Sequence, residues 1–123
     1  EDWILPIDKA IASKIAEIRE HYESQRTLYA NALAGATEQA TWAKQEIEAR
    51  AFVKDSMAET PLIDALLAAR NIQGETKTDL CNKIIMKADA YAVAIGESLG
   101  IQQSKEKQAE SATTLDDLDA ITW

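Results

Sequence analysis

The chain reads as an all-α helical bundle. It has two long helices, two to three shorter ones and an extended lead-in over residues 1–7, so that residues 8–123 make a single helical domain. Three observations predict this. Only four glycines and two prolines punctuate 123 residues, so elements are long and turns few. Hydrophobic residues make up 46% but aromatics only 6%, which suits closely packed, alanine-rich helices better than a bulky core. Apolar positions recur at steps of three and four, without the alternation of a half-buried strand. At this length one core is within reach if the helices fold back on one another.

Trp3, Ile4 and Leu5 precede Pro6, and the residue before a proline is steered away from helix. This lead-in is expected to pack extended against the bundle, or to be the stub of an upstream domain. A chain that begins on Glu1 rather than Met points to a processed protein or a piece of a longer one. From Asp8 the spacing of Ile7, Ile11, Ile15, Ile18, Tyr22, Tyr29 and Leu33 predicts a helix over residues 8–34. Its seam is interrupted at Gln25 and Arg26, and Gly35 stands where a C-terminal glycine stops a helix. At roughly 40 Å, from 1.5 Å per residue, this helix is also long enough for coiled-coil pairing over its first half. Thr37 is placed to cap a second helix running to about Asp55, with Glu38 complementing the dipole in its first turn. Residues 56–59 connect it to a third.

Thr60-Pro61 is a start signal, a capping hydroxyl followed by proline at the first helical position. Leu62, Ile63, Leu66, Leu67 and Ala69 then cover most of a short helix, which should be largely buried and ends near Arg70. Residues 71–74 form a turn. Thr76 with Asp79 makes a capping-box start for the fourth helix. Leu80, Ile84, Ala88, Tyr91, Ile95 and Leu99 line one face of it, widened by Cys81, Ile85 and Ala92. Gly96 and Gly100 each cost about 1 kcal/mol in a helix relative to alanine, which predicts the close approach of a second helix or, failing that, a bend. Residues 102–111 turn strongly polar and read as a solvated extension. Thr113 or Thr114 caps a last short helix over residues 115–121, and Leu115, Leu118, Ile121 and Trp123 should pack back on the bundle.

The formal charge of −8, from 21 acidic and 13 basic residues, repels phosphate backbones and anionic lipid surfaces, so neither nucleic acid nor membrane is an expected partner. The longest apolar runs are too short to span a bilayer. Cys81, the one cysteine, makes no internal disulfide and fits a small core position. No phosphate loop, His-x-x-x-His pair or paired cysteines occur, and the Glu-x-x-His motif of di-metal bundles is missing. The lone His21 reads as a surface or hydrogen-bonded residue. Asp116, Asp117 and Asp119 lack the loop glycine and distal glutamate of a calcium loop and fit a helix start instead. No catalytic, metal or cofactor site is expected.

The least ordinary spacing lies in residues 37–53. Trp42, Ala49 and Phe52 share one helical face with Gln45, and Thr41, Gln45 and Glu48 make a polar stripe beside it. A buried polar group left unpaired costs on the order of 1–3 kcal/mol. These groups therefore either tie the second helix to the fourth, with Arg70 as charge partner, or await another protein. Thr41, Trp42, Gln45, Glu48, Arg70, Gly96, Gly100 and Trp123 are accordingly the candidate interaction or structural-knot residues.

Several of these residues fall in a larger pattern. Thr41-Trp42, Gln45 and Glu48-Ala49 are followed by Thr60-Pro61-Leu62-Ile63-Asp64-Ala65-Leu66 with Ala68-Ala69-Arg70. Then come Lys83-Ile84-Ile85, Lys87-Ala88 and Ala90-Tyr91, Gly96, Gly100 and Gln103, and a closing Ala112-Thr113-Thr114-Leu115 with Ile121 and Trp123. In this order, over residues 38–123, they resemble a helical module of tail-fibre-associated and tail assembly proteins of tailed bacteriophages and prophages. The resemblance implies a non-enzymatic protein of the tail region, either a structural component of fibre or baseplate or a soluble fibre-assembly chaperone. It would be located in the virion tail, or in the host cytoplasm during assembly. Its implied partner is a fibre or baseplate protein, or a second copy of itself as a homo-oligomer. No catalytic residue is carried over. Composition alone leaves a third reading, a small acidic helical regulator or inhibitor that binds a basic protein.

Overall fold

The computed structural model describes residues 6–123, and the Trp3-Ile4-Leu5 lead-in lies outside them. The described residues form five α-helices in an all-α bundle architecture: α1 (Ile7–Leu33), α2 (Ala36–Lys54), α3 (Pro61–Arg70), α4 (Lys77–Glu110) and α5 (Leu115–Asp119). The lead-in stops one residue earlier than expected, because Ile7 is already helical and the Ala10 N–H reaches the Pro6 carbonyl at 2.9 Å.

The helices gather around two cores, in two compact units. In unit 1, residues 6–30 and Ile95–Trp123, the core is Ile18, Tyr22, Ala109, Leu118 and Ile121, flanked by Ala10, Ile11, Ile15 and Ala112. Here α1 meets the second part of α4, and α5 closes over them. A capping box at Thr114 and Asp117 starts α5. Leu118 and Ile121 pack back as their spacing predicts, whereas Leu115 remains exposed.

The polar stretch over residues 102–111 extends α4 and is solvated on one side, with residues 103, 104, 107, 108, 110 and 111 exposed, but its other side is packed. Gln102 is 8% exposed; its Oε1 accepts from Arg26 at 2.7 Å and its Nε2 donates to Glu106 at 2.7 Å. Glu106 also accepts from Arg19 at 2.9 and 3.1 Å, and Arg26 donates to Ser98 at 3.1 Å. The interruption of α1 at Arg26 and the polar stretch of α4 are thus two halves of one network. Gln102 lies on the seam because Cys81, Ala88, Ile95, Gln102 and Ala109 repeat at seven, the period that keeps one helical face toward packed neighbours.

In unit 2, Asn31–Ala94, the core is Ala49, Ile63, Leu80 and Cys81, with Phe52, Leu66, Leu67, Ile84 and Ile85 against it. Three local expectations are corrected here. Gly35 does not end α1 in the left-handed region. Its φ of −71° and ψ of 169° are extended, and it is the N-cap of α2. Thr37 consequently sits inside the first turn and caps nothing. Just past the α1 end, Gln39 Nε2 donates to the Ala34 carbonyl and to Asn31 Oδ1, both at 2.8 Å. Helix α3 is less buried than its composition suggests, with Ile63 alone fully enclosed and Leu62, Leu66 and Leu67 part-buried. Ten residues flanked by only a few partners cannot hide an apolar circumference. The turn after α3 uses Asn71 at φ 49° and Gly74 at φ 83°, the two residue types that tolerate a left-handed backbone. The reciprocal Thr76–Asp79 capping box starts α4, at 3.0 and 3.1 Å.

Candidate functional site

Residues 37–53 lie in α2, and of the three side chains singled out there two reach other helices and one stays on α2. Trp42 meets Tyr91 of α4, with centroids 5.1 Å apart and planes at 62°. This edge-to-face contact is worth about 0.5–1.5 kcal/mol beyond area burial. It ties α2 to α4 as the sequence suggests, although Tyr91 as the partner is not legible from spacing. Gln45 does not cross to another helix. Its Nε2 donates to Thr41 Oγ1 at 2.8 Å, and the Thr41 hydroxyl donates to the Glu38 carbonyl at 2.7 Å.

Glu48 makes the central contact. It is 2% exposed and points at the start of α3, where its two carboxylate oxygens accept the backbone N–H of Ile63 at 3.0 Å and of Leu62 at 3.3 Å. The first turn of α3 is then fully accounted for. Pro61 has no N–H, Leu62 and Ile63 bond Glu48, and the Asp64 N–H bonds the Thr60 carbonyl at 2.9 Å. A helix start exposes unpaired donors and a partial positive charge, so a carboxylate is favoured there on both counts. Thr60 supplies no side-chain cap. Its hydroxyl donates instead to Asp64 Oδ1 at 3.0 Å, and the cap comes from another helix. Lys44, one turn back on α2, sits 3.5 Å from Glu48 and is exposed.

Arg70 is not the charge partner of this stripe. It forms a two-pronged pair with Glu75 at 2.9 and 2.9 Å, and Lys83 adds a third contact at 3.1 Å. The Arg70 guanidinium, ahead of Lys83, holds the Glu75 carboxyl down to about 2. Nearby, Lys77 pairs with Asp64 at 2.8 Å and lies 4.6 Å from the centre of the Phe52 ring. That ammonium, ahead of the Thr60 hydroxyl, lowers the Asp64 carboxyl from its ordinary range.

Gly96 and Gly100 are also corrected. A methyl built on either meets nothing within 4 Å, so no second helix approaches closely there, and both fall on the exposed side of α4. Trp123 packs only in part. It is 52% exposed and stacks on His21, with centroids 4.8 Å apart.

The groups best suited to chemistry are engaged structurally. Cys81 is buried in the unit 2 core, and desolvation pushes its thiol up from the ordinary range, away from thiolate. His21 faces two aromatic rings. Among the described residues, no three His, Cys, Asp or Glu side chains are grouped to hold a metal ion, and no helix is long and apolar enough to cross a membrane. A shallow surface depression of about 460 Å³ is lined by Ile72, Gly74, Glu75, Asp79, Lys83 and Met86 among others; of its two carboxylates, Glu75 is tied to Arg70 and Lys83 and Asp79 caps the start of α4.

Among the exposed and mostly polar residues of unit 2, α4 also presents apolar ones. Met86 and Val93 are 70% and 62% exposed; seven residues apart with exposed Ala90 between them, they form one stripe on the side of α4 away from the core. No protein-family model, curated protein or solved structure matches the chain.

Proposed function

We propose that the chain is a non-enzymatic contact module of a bacteriophage tail, a structural part of the fibre or baseplate region whose helices bind another tail protein. The observation that carries the protein-contact part is the outward Met86–Ala90–Val93 stripe of α4. Single exposed apolar side chains are ordinary, but aligned ones on a helix face mark a surface suited to another protein.

The phage part rests on the sequence resemblance, and the geometry supports it in one respect. The residues that carry the resemblance in unit 2 include ones that hold that unit together: Trp42 against Tyr91, Glu48 on the α3 start, and Thr60-Pro61 at that start. A shared pattern made of fold-defining ties is what a structural module would keep. The non-enzymatic part is supported by the engagement of Cys81, His21 and Glu48 in packing and capping. The carboxylates are distributed over all five helices, many of them paired internally, so no single acidic face favours the regulator reading.

The test is fractionation of phage-producing cells that carry a tagged copy. The chain should be found in finished particles, and M86E/V93E should remove it from them while leaving the helical circular dichroism signal intact. Presence only in assembly intermediates would overturn the structural role in favour of a chaperone, and absence from both would overturn the tail assignment.

A further inference from the structure

Helix α4 turns one row of residues away from its packed seam: Lys83, Met86, Ala90, Val93 and Glu97, spaced three, four, three and four apart and all exposed. Read backwards, the row is its own complement. Ala90 stands at its middle, with Lys83 seven residues before and Glu97 seven residues after. Met86 and Val93, the two large apolar members, flank Ala90 at nearly equal distances.

We propose that the occupant of this row is the same row of a second copy of the chain, antiparallel to it and related by a two-fold axis at Ala90. The proposal rests on reading the Met86–Ala90–Val93 stripe as a contact face. In that register each Met86 lies against the partner's Val93 and each Lys83 against the partner's Glu97, every contact occurring twice. A parallel register sets lysine over lysine and glutamate over glutamate, and like charges facing across an interface oppose association. The row therefore selects a surface of opposite charge in reversed order, which this chain itself carries.

The neighbouring groups permit the pairing. Ala90 offers only a methyl at the axis, which suits helix axes about 8 Å apart. Lys83 gives one N–H to Glu75 at 3.1 Å, and an ammonium has further donors to give. Glu97 enters no ion pair among the described residues. Of the flanking charges, Asp89 brings Arg50 with it at 2.5 Å, and Lys87 falls opposite the partner's Ala94. The contact covers about 21 Å of a single helix at 1.5 Å per residue. It therefore buries less than the roughly 800 Å² per partner of a standard interface, and pairing is weak, with a Kd on the order of 100 µM.

The experiment is sedimentation equilibrium of the full chain, purified alone, between about 10 µM and about 1 mM, a range that brackets such a Kd. The parent should pass from monomer to dimer. K83E and E97K should each pair at least tenfold more weakly, and an equimolar mixture of the two should dimerise again, because each variant then meets its opposite charge. E97K leaves the Arg70–Glu75–Lys83 cluster untouched, and circular dichroism reports whether K83E keeps the fold. The register is read independently by oxidative cross-linking, with the parent as control for the buried Cys81. A90C should link into dimers at least tenfold faster than V93C, because the two Val93 positions lie about 9 Å apart along the helices, outside the ~7 Å Cα span of a disulfide. A parent that stays monomeric, a mixture that fails to dimerise, or V93C linking as fast as A90C would overturn the pairing. A monomeric parent whose M86E/V93E variant is still lost from phage particles would overturn the second copy alone and leave the tail-contact reading standing, with a different protein on the stripe.

Discussion

Removal of the Glu48 carboxylate tests whether α3 is started by α2. In E48A the N–H groups of Leu62 and Ile63 lose a charged acceptor in a site only 2% exposed. A hydrogen bond to a charged group contributes ~1.5–3 kcal/mol, and losing a helix cap costs ~0.5–2 kcal/mol. The 3.3 Å contact to Leu62 is the weaker of the two. Relief of the buried carboxylate's desolvation offsets part of the loss. Lys44 is exposed, so its share is below ~1 kcal/mol. The expected net loss is about 2–4 kcal/mol, a fall in Tm of roughly 10 °C for a chain of this size. E48Q retains one acceptor without the charge and should lose about half as much, and K44A far less than either. Urea unfolding followed by far-ultraviolet circular dichroism gives the free energies, and amide exchange at Leu62 and Ile63 gives the local effect. An E48A protein within ~0.5 kcal/mol of the parent, or unchanged exchange at those two amides, would refute the cap.

Acid should weaken the Arg70–Glu75–Lys83 cluster. The Glu75 carboxyl is held down to about 2 in the folded chain against about 4.3 for a free glutamate. Its contribution is therefore complete above the free value and lost as pH falls through that interval. E75Q and R70A should each flatten the fall in stability measured between those limits by circular dichroism. Replacing Gly96 or Gly100 by alanine should stabilise by about 0.5–1 kcal/mol each, since helix propensity is gained and the added methyl meets nothing within 4 Å; a destabilised variant in urea unfolding would restore the close-packing idea. Q102A leaves Arg26 and Glu106 each short of a buried partner and should cost about 1–3 kcal/mol. An R26M/Q102L protein, which replaces the Arg26–Gln102 pair with apolar groups, should recover part of that loss in the same assay. Recovery would separate the penalty of an orphaned group from the worth of the pair.

Local signals were read well where they act over one turn. The Thr76–Asp79 box, the Thr114 cap and the Asn71 and Gly74 turn lie where the sequence places them, because each depends on residues within four positions of one another. The Gly35 and Thr37 readings failed although the residues that decide them are nearly as close: both residue types suit a cap, Gly35 took the N-cap of α2, and Gln39 reaches back to the Ala34 carbonyl and Asn31 at the α1 end. In α4, extending the face to Leu99 and Ala92 turned it away from the seam. The seven-residue repeat through Gln102 was visible in the string, but a glutamine on a seam looks solvated until its Arg26 partner, 76 residues away, is in place.

By itself, the sequence determined that this protein is all-α, where its five helices begin and end to within a residue or two in most cases, and that Trp42 and Glu48 belong to a tie rather than to solvent. Helix period, proline and glycine placement and capping chemistry are local, so the string carries them. Tertiary structure decided which groups meet: Glu48 with the α3 start instead of Arg70, Tyr91 with Trp42, Gln102 with Arg26, and His21 with Trp123. It also decided that the two glycines of α4 face outward. Each of these pairings joins residues far apart in the sequence: Glu48 and Gln102 meet their partners because a buried polar group must be satisfied once the chain has folded, Trp42 and His21 because ring faces and edges pack where the helices bring them, and several residues in the sequence could have supplied either.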